Sequence, residues 1–545
     1  MNIFKKIIYT IYAITLSLFL VGCNDKSEQK IEEKSERTLT ILASSELKDM
    51  ENILKKAQTD LNINLSIQYY GTISAVDKIK NGMNVDTAWL SQSKYFYDTQ
   101  ENSKRIKLSE KTMVSPVIIG FRKDSWNKLN VKNEKITWKK ISEWVKNNKL
   151  TYAMSDPSES NTGYITLMGV SYSIANTGEN LKVSDIPKEK IEEFFKGNTV
   201  KAQGSYWLME EFKNSKADFI INYESVLLTY NINNKNDELV LVYPDEGISS
   251  ADYPLLLINP KKQEIYKELV EYLKTIPVQK AILEETKRRP LMLAAARNQT
   301  YFDENKLLIE MPFDTSPELA DEILTAYFQN FKKPSAFSFV LDTSGSMSIE
   351  QREQKLKNAM ASLTIDNNKG GKFAKIRERE MGFILPFSDS IGKEYFFNIT
   401  KENKENELKG IFNYVNSLNV NGGTALYLST AQAIKTLNNI RNNNIKNGKD
   451  YTYSVVLLTD GENNGQFDLN DFVRFMDDNK AQYRDIRVFP ILFGAAKLNE
   501  LNVIANSTKG KVFDGNNKSL NEVFKEIRSY QWYNILNNLL QLWQI

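Results

Sequence analysis

An α/β protein is what the sequence predicts, and two observations carry that expectation. From Thr38 to about Pro334 strand-like and helix-like stretches alternate, as they do where helices cross over parallel strands. Beyond that point two short apolar runs, 337–341 and 454–458, read as buried strands that end in polar loops. The expected architecture is a two-lobed module followed by a doubly wound domain.

In the first part, residues 39–43 form a strand that reaches Ser44 and Ser45 before a helical stretch. A second strand, 65–70, runs into Gly71 and Thr72, and a third, 85–90, ends at Ser91. The strand at 115–121 is one on which the chain could cross between lobes. Residues 156–163 read as a polar loop that opens a helix and includes Ser160 and Thr162. The segment 217–224, which contains Tyr223, and the turn-rich 243–247 follow. Hydroxyls and free amides at helix starts suit an anion or a polar solute.

In the second part, the strand at 337–341 leads into Asp342-Thr343-Ser344-Gly345-Ser346. Ser348 and Gln351 have capping-box spacing, and Leu356, Ala359, Met360 and Leu363 recur at helical intervals. The motif therefore sits on a loop at a strand's carboxyl end, where open α/β sheets bind ligands. Asn421-Gly422-Gly423-Thr424-Ala425-Leu426 is a glycine-softened loop before a helix, and the strand at 454–458 ends at Thr459-Asp460-Gly461. Further strands are expected at 381–387, 394–399 (an edge), 486–494 and 511–513, and a helix near 521–530 closes the domain.

Asp342, Ser344, Ser346, Thr424 and Asp460 thus form an all-oxygen set without sulfur or imidazole. Hard oxygen ligands suit Mg²⁺, with Mn²⁺ and Ca²⁺ as alternatives. In order and spacing the three segments resemble the metal-ion-dependent adhesion site (MIDAS) of the von Willebrand factor A (VWA) family, whose fold is Rossmann-like. That resemblance implies direct metal binding by Ser344 and Ser346, direct binding by Thr424 in one state, and action largely through water by Asp342 and Asp460. It also implies an open metal position that an acidic group of a protein partner fills.

The order of segments from Thr38 to about Pro334 resembles the type 2 bacterial extracellular solute-binding proteins, whose two α/β lobes close on a ligand. The resemblance implies a cleft lined by Ser44, Ser45, Thr72, Ser91, Ser160, Thr162 and Tyr223 that takes a small solute or anion. Taken singly, each of these residues also reads as a helix cap or turn.

Composition excludes a good deal. The 545 residues contain no histidine and one cysteine. Ser-His-Asp and Cys-His triads, HExxH zinc sites, thiolate zinc sites and intramolecular disulfides are therefore ruled out. Gly370-Gly371-Lys372 lacks the spacing of a phosphate-binding loop. A formal charge of +3 gives no footprint for nucleic acid. An adhesion-type site surrounds one ion and offers no separate general base, so no catalytic residue is assigned and the protein is not read as an enzyme.

The lone cysteine, Cys23, stands after Lys5 and Lys6 and the apolar stretch 7–20, in signal-peptide order. Leu20-Val21-Gly22-Cys23 resembles the bacterial lipobox, which implies cleavage before Cys23 and diacylglycerol on its sulfur. The expected organisation is a signal peptide at 1–22, a lipidated cysteine and flexible tether at 23–37, a solute-binding-protein-like domain at 38–333, a VWA domain at 334–530 and an apolar tail at 531–545. The tail is about 15 residues long, short of the roughly 20 that span a bilayer. Across its mature length the chain resembles bacterial extracellular lipoproteins that pair these two domains. The expected protein is lipid-anchored outside the cytoplasm and uses a metal in its VWA domain for protein recognition or adhesion. The alternative is a solute-capturing receptor attached to a transport complex.

Overall fold

The computed structural model describes residues 37–530 apart from 81, 93–103, 132–133, 178–180, 203, 304–307, 312–316 and 366–374. The signal peptide, Cys23, almost all of the tether, Gly370-Gly371-Lys372 and the apolar tail lie outside the described residues. The chain divides into two compact units, 1–115 with 251–304, and 116–250 with 305–545. The expected crossing strand spans Met113–Arg122, and the first division falls within it.

In the first unit a five-stranded sheet runs in the order Asn64–Tyr70, Thr38–Ser44, Thr87–Trp89, Pro254–Leu257, Leu108–Lys111. The first three strands are parallel, with Ile41 opposite both Ile67 and Thr87. The other two pair antiparallel, so the α/β architecture expected from the alternation is present and its sheet is mixed. Strand–helix alternation reports crossovers, but it does not register strands that return from a distant part of the chain. Helix Glu51–Leu61 forms because Ile53, Leu54 and Ala57 recur on one face and are buried, and Asn62 ends it in the left-handed conformation.

In the second unit the first sheet is also mixed. Residues 117–121 pair antiparallel with Phe219–Tyr223, which pairs parallel with Tyr152–Ala153. The strand Asn198–Val200 lies beyond Tyr152–Ala153, at one end of the sheet order. Helix Asn161–Ala175 is buried along almost its whole length, consistent with its apolar composition.

A π-helical turn, Tyr327–Phe331, leads through Lys332 into the last sheet. Its order is Tyr395–Asn398, Met381–Phe387, Ser335–Asp342, Thr452–Thr459, Ile486–Leu492, Phe513–Asp514, and only the first pairing is antiparallel. Side chains alternate across it. Phe337, Phe339 and Leu341 pack with Leu356, Met360, Leu363 and Phe524 on one face. Ala336 and Val340 pack with Leu426, Ile434 and Leu437 on the other. Both faces are covered, which is why its central strands read as continuous apolar runs.

One local expectation fails. Ser348 and Gln351 form no capping box: the Ser348 hydroxyl donates to the Gly345 carbonyl at 2.7 Å. The α-helix begins only at Arg352, because the preceding 3₁₀ segment is kinked, with Glu350 and Gln351 at φ of 52° and 58°. Leu356, Ala359, Met360 and Leu363 are nonetheless buried on that helix, as its periodicity predicts.

Candidate metal site and hydroxyl clusters

Two loops that leave the carboxyl ends of parallel strands and one that joins two helices bring the five oxygen-bearing residues together. Asp342 is the last residue of Ser335–Asp342, and Asp460 follows Thr452–Thr459 directly. Thr424 precedes helix Leu426–Lys446. The loops are laced by backbone bonds, from Gly345 N to Gly422 O at 3.1 Å and from Asn421 N to Thr343 O at 2.8 Å. Gly422 sits at φ +73°, which favours glycine.

Ser344 Oγ and Ser346 Oγ lie 3.0 Å apart. Ser346 Oγ donates to Asp460 Oδ1 at 2.7 Å. Asp342 accepts from Ser344 N at 2.8 Å and from Thr459 Oγ1 at 2.7 Å. A Cβ added at Gly461 would stand 3.3 Å from Thr424 Oγ1 and 3.5 Å from Ser346 Oγ, so the threonine and serine hydroxyls share one small space. Asp342, Ser344 and Asp460 are buried to within 1% of full enclosure, while Gly345 and Asn421 are exposed at the rim. Burial pushes the Asp342 carboxyl above its ordinary value; hydrogen bonds from Ser344 and Thr459 oppose this and Asp460 adds to it.

The donor set can be tested for fit. Mg²⁺ binds oxygens at about 2.0–2.1 Å in an octahedron, so neighbouring ligands stand about 3 Å apart. The two serine hydroxyls already have that spacing. Among the described residues no cluster of three or more His, Cys, Asp or Glu side chains could hold a metal, and a hydroxyl-rich site would not form one.

Three supporting residues escaped the sequence reading. Arg352 Nη1 donates to Asp460 Oδ2 at 2.8 Å, which leaves Oδ1 to Ser346. Asn464 holds Thr424 by its backbone: Thr424 N donates to Asn464 Oδ1 at 2.6 Å, and Asn464 N donates to Thr424 O at 3.0 Å. Thr459 orients Asp342. Only Thr459 and Asn464 carried a signal, by adjacency to Asp460.

The other candidate residues form two clusters, one in each unit. In the first, Thr72 Oγ1 stands 2.7 Å from Ser44 Oγ and 2.8 Å from Ser91 Oγ. Ser91 also donates to Glu46, and Ser45 Oγ donates to Glu46 Oε2 at 3.3 Å. Glu46 was missed; it is 3% exposed, and burial raises its carboxyl above the ordinary range against the Ser91 hydrogen bond. In the second unit Thr162 Oγ1 lies 3.0 Å from Ser160 Oγ, 2.6 Å from Ser155 Oγ and 3.1 Å from Ser205 Oγ. Tyr223 accepts from Asn161 Nδ2 at 3.1 Å. All seven predicted residues are buried.

Residues 39–285 match the family described as bacterial extracellular solute-binding protein, and residues 338–526 match the von Willebrand factor type A domain. The chain carries a bacterial solute-binding domain and a VWA domain. Among solved structures, the periplasmic binding protein AfuA from Actinobacillus pleuropneumoniae is 15% identical, with 54% of this chain and 98% of that one covered at a TM-score of 0.41. A ferric binding protein from Campylobacter jejuni is 13% identical over 53% of this chain and 98% of that one, at 0.39. A von Willebrand factor type A protein from Catenulispora acidiphila is 17% identical over 37% of this chain and 43% of that one, at 0.29. Among curated proteins, a probable bifunctional E2/E3 enzyme of Acanthamoeba polyphaga mimivirus is 31% identical over 100 residues, and the chain spans 7% of its length. A solute-binding domain suggests an extracytoplasmic location. Among the described residues no helix is long and apolar enough to cross a membrane.

Proposed function

We propose that the VWA domain holds a divalent cation, Mg²⁺ or one of the alternatives Mn²⁺ and Ca²⁺, through Ser344, Ser346, Thr424, Asp342 and Asp460, and uses it to recognise a protein partner. The observation that carries this reading is the pair of serine hydroxyls at ligand spacing, backed by two buried carboxylates. The hydroxyls contribute no charge, so a bound cation would keep an affinity for an acidic group supplied from outside. Ser344 and Ser346 position that exchange, Asp460 holds Ser346, and Asn464 fixes the Thr424 loop. The solute-binding domain and the signal-peptide and lipobox pattern ending at Cys23 support an extracytoplasmic protein anchored by acyl chains. The test is partner capture by the whole protein in Mg²⁺, release by EDTA, and the same capture attempted with Asp342→Ala. Equal capture with and without Mg²⁺, or by the variant, would contradict the reading.

A second reading, solute capture for a transport complex, draws on one observation. Ser44, Thr72 and Ser91 are buried polar groups whose hydroxyls bond one another around Glu46, and such a network can turn its bonds toward a polar solute. A saturable rise in melting temperature with one member of a panel of sugars, peptides, polyamines or oxyanions would favour it.

A further inference from the structure

Within the second unit a cavity of about 630 Å³ separates the edge of the solute-binding domain's sheet from the VWA domain. Asn198 and Lys201 line it from the first domain, Arg379 and Thr400 from the second, and Lys333 just before strand Ser335–Asp342. At roughly 30 Å³ per water it would hold about twenty molecules of solvent, the room a small metabolite needs.

Its lining is polar and incompletely satisfied. Asn198 is 5% exposed, and both polar atoms of its side-chain amide are buried without a hydrogen-bond partner. Buried amides are normally bonded, so one left open toward a cavity marks a place for a ligand's donor and acceptor. Lys201 is 6% exposed, and its ammonium makes no hydrogen bond or ion pair among the described residues. The carboxylate nearest to it in charge, Asp156, is already held by Lys332 Nζ at 2.8 Å.

Two buried lysines therefore share one acid. Lys333 is neutralised by Asp450 at 2.5 Å, whereas among the described residues the Arg379 side chain donates to the carbonyls of Gln329 and Asn330, each at 2.9 Å. Glu192, Glu378 and Glu402 also line the cavity, but among the described residues neither Lys201 nor Arg379 forms an ion pair with a carboxylate.

We propose that this cavity is a second binding site, which takes a small oxyanion bearing a hydroxyl. The anionic group meets Lys201, and the hydroxyl with a second oxygen completes the two open valences of Asn198. Phosphate and hydroxycarboxylate groups both have that chemistry. Burial pushes Lys201 down to about 8, Asp156 opposes this and Lys333 reinforces it, so an anion would restore a charge that the fold disfavours. Because strand Asn198–Val200 and the VWA residues contribute together, occupancy would tie the two domains of this unit to one another.

The test is calorimetric titration of the whole protein with inorganic phosphate and, separately, with citrate, against sodium chloride at equal ionic strength. One saturable site is expected for at least one of the two anions, weakened tenfold or more by Lys201→Met and by Asn198→Leu and unchanged by Asp342→Ala. Asn198→Leu carries the test if Lys201→Met does not fold. No saturable heat with either anion, equal affinity in the cavity variants, or a high-resolution structure grown in the anion with only water beside Lys201 would overturn the proposal.

Discussion

Arg352→Met should tighten divalent-cation binding, which is the opposite of what loss of a residue beside a site usually does. The guanidinium donates to Asp460 Oδ2 at 2.8 Å, and Ser346 Oγ donates to the other oxygen at 2.7 Å. A cation on Ser346 Oγ would therefore stand roughly 7 Å from the guanidinium. Charges of +2 and +1 at that distance repel by about 1 kcal/mol at the dielectric of water and about 5 kcal/mol at an effective dielectric of 20. At 1.4 kcal/mol per decade, removing the charge should strengthen binding roughly tenfold or more. Methionine keeps most of the side-chain length, and the guanidinium now packs against Gly494, where an added Cβ would stand 2.8 Å from Arg352 Cζ. Asp460 is fully buried and loses its ion-pair partner while keeping the Ser346 hydrogen bond, so the metal-free variant should be less stable by about 3–5 kcal/mol. Added Mg²⁺ should return part of that. Isothermal titration with Mg²⁺ and Mn²⁺, with melting curves in EDTA, measures both effects. Affinity that is unchanged or weaker in Arg352→Met would refute the charge argument.

The buried pair Lys332–Asp156 should behave as a unit. Lys332→Met alone should destabilise by about 3–5 kcal/mol in a urea titration, whereas Lys332→Met with Asp156→Asn should recover most of it; a silent single variant would count against this. Stability should rise with pH from about 7 to 10. Burial holds Lys332 at about 7 and Lys201 at about 8, below their ordinary value, so the unfolded chain binds more protons across that window. Above it, buried Tyr152 and Tyr253, whose phenols are raised by burial, should reverse the trend. Melting temperatures at pH 7, 8.5 and 10 test this, and Lys201→Met should flatten the rise. Cys23→Ser should abolish labelling by a palmitate analogue, and label retained by that variant would contradict lipid anchoring.

The VWA sheet was legible because its central strands are buried on both faces and carry continuous apolar runs, such as 337–341 and 454–458. That the five candidate residues come together was legible because each follows such a strand or precedes a helix. What escaped depends on contacts far apart in sequence. Arg352 meets Asp460 across 108 positions and Glu46 meets Ser91 across 45, and no periodicity announces such pairs. The antiparallel strands Leu108–Lys111 and Pro254–Leu257 were hidden for the same reason, since alternation of elements does not encode the direction of a returning strand. Ser348 misled because the kink at Glu350 and Gln351 uses non-glycine residues at positive φ, which composition does not signal.

Calorimetric titration of the wild-type protein and Asp342→Ala with Mg²⁺ and Mn²⁺ decides whether the VWA domain holds a cation. Asp342 is one of two carboxylates beside the serine hydroxyls and carries none of the sheet's apolar packing, so the variant should stay folded by circular dichroism. One divalent site is expected in the wild type, and its loss, or a steep fall in affinity, in Asp342→Ala. Equal affinity in the two proteins would contradict it and would make Asp342, Ser344 and Ser346 a hydroxyl-capped turn.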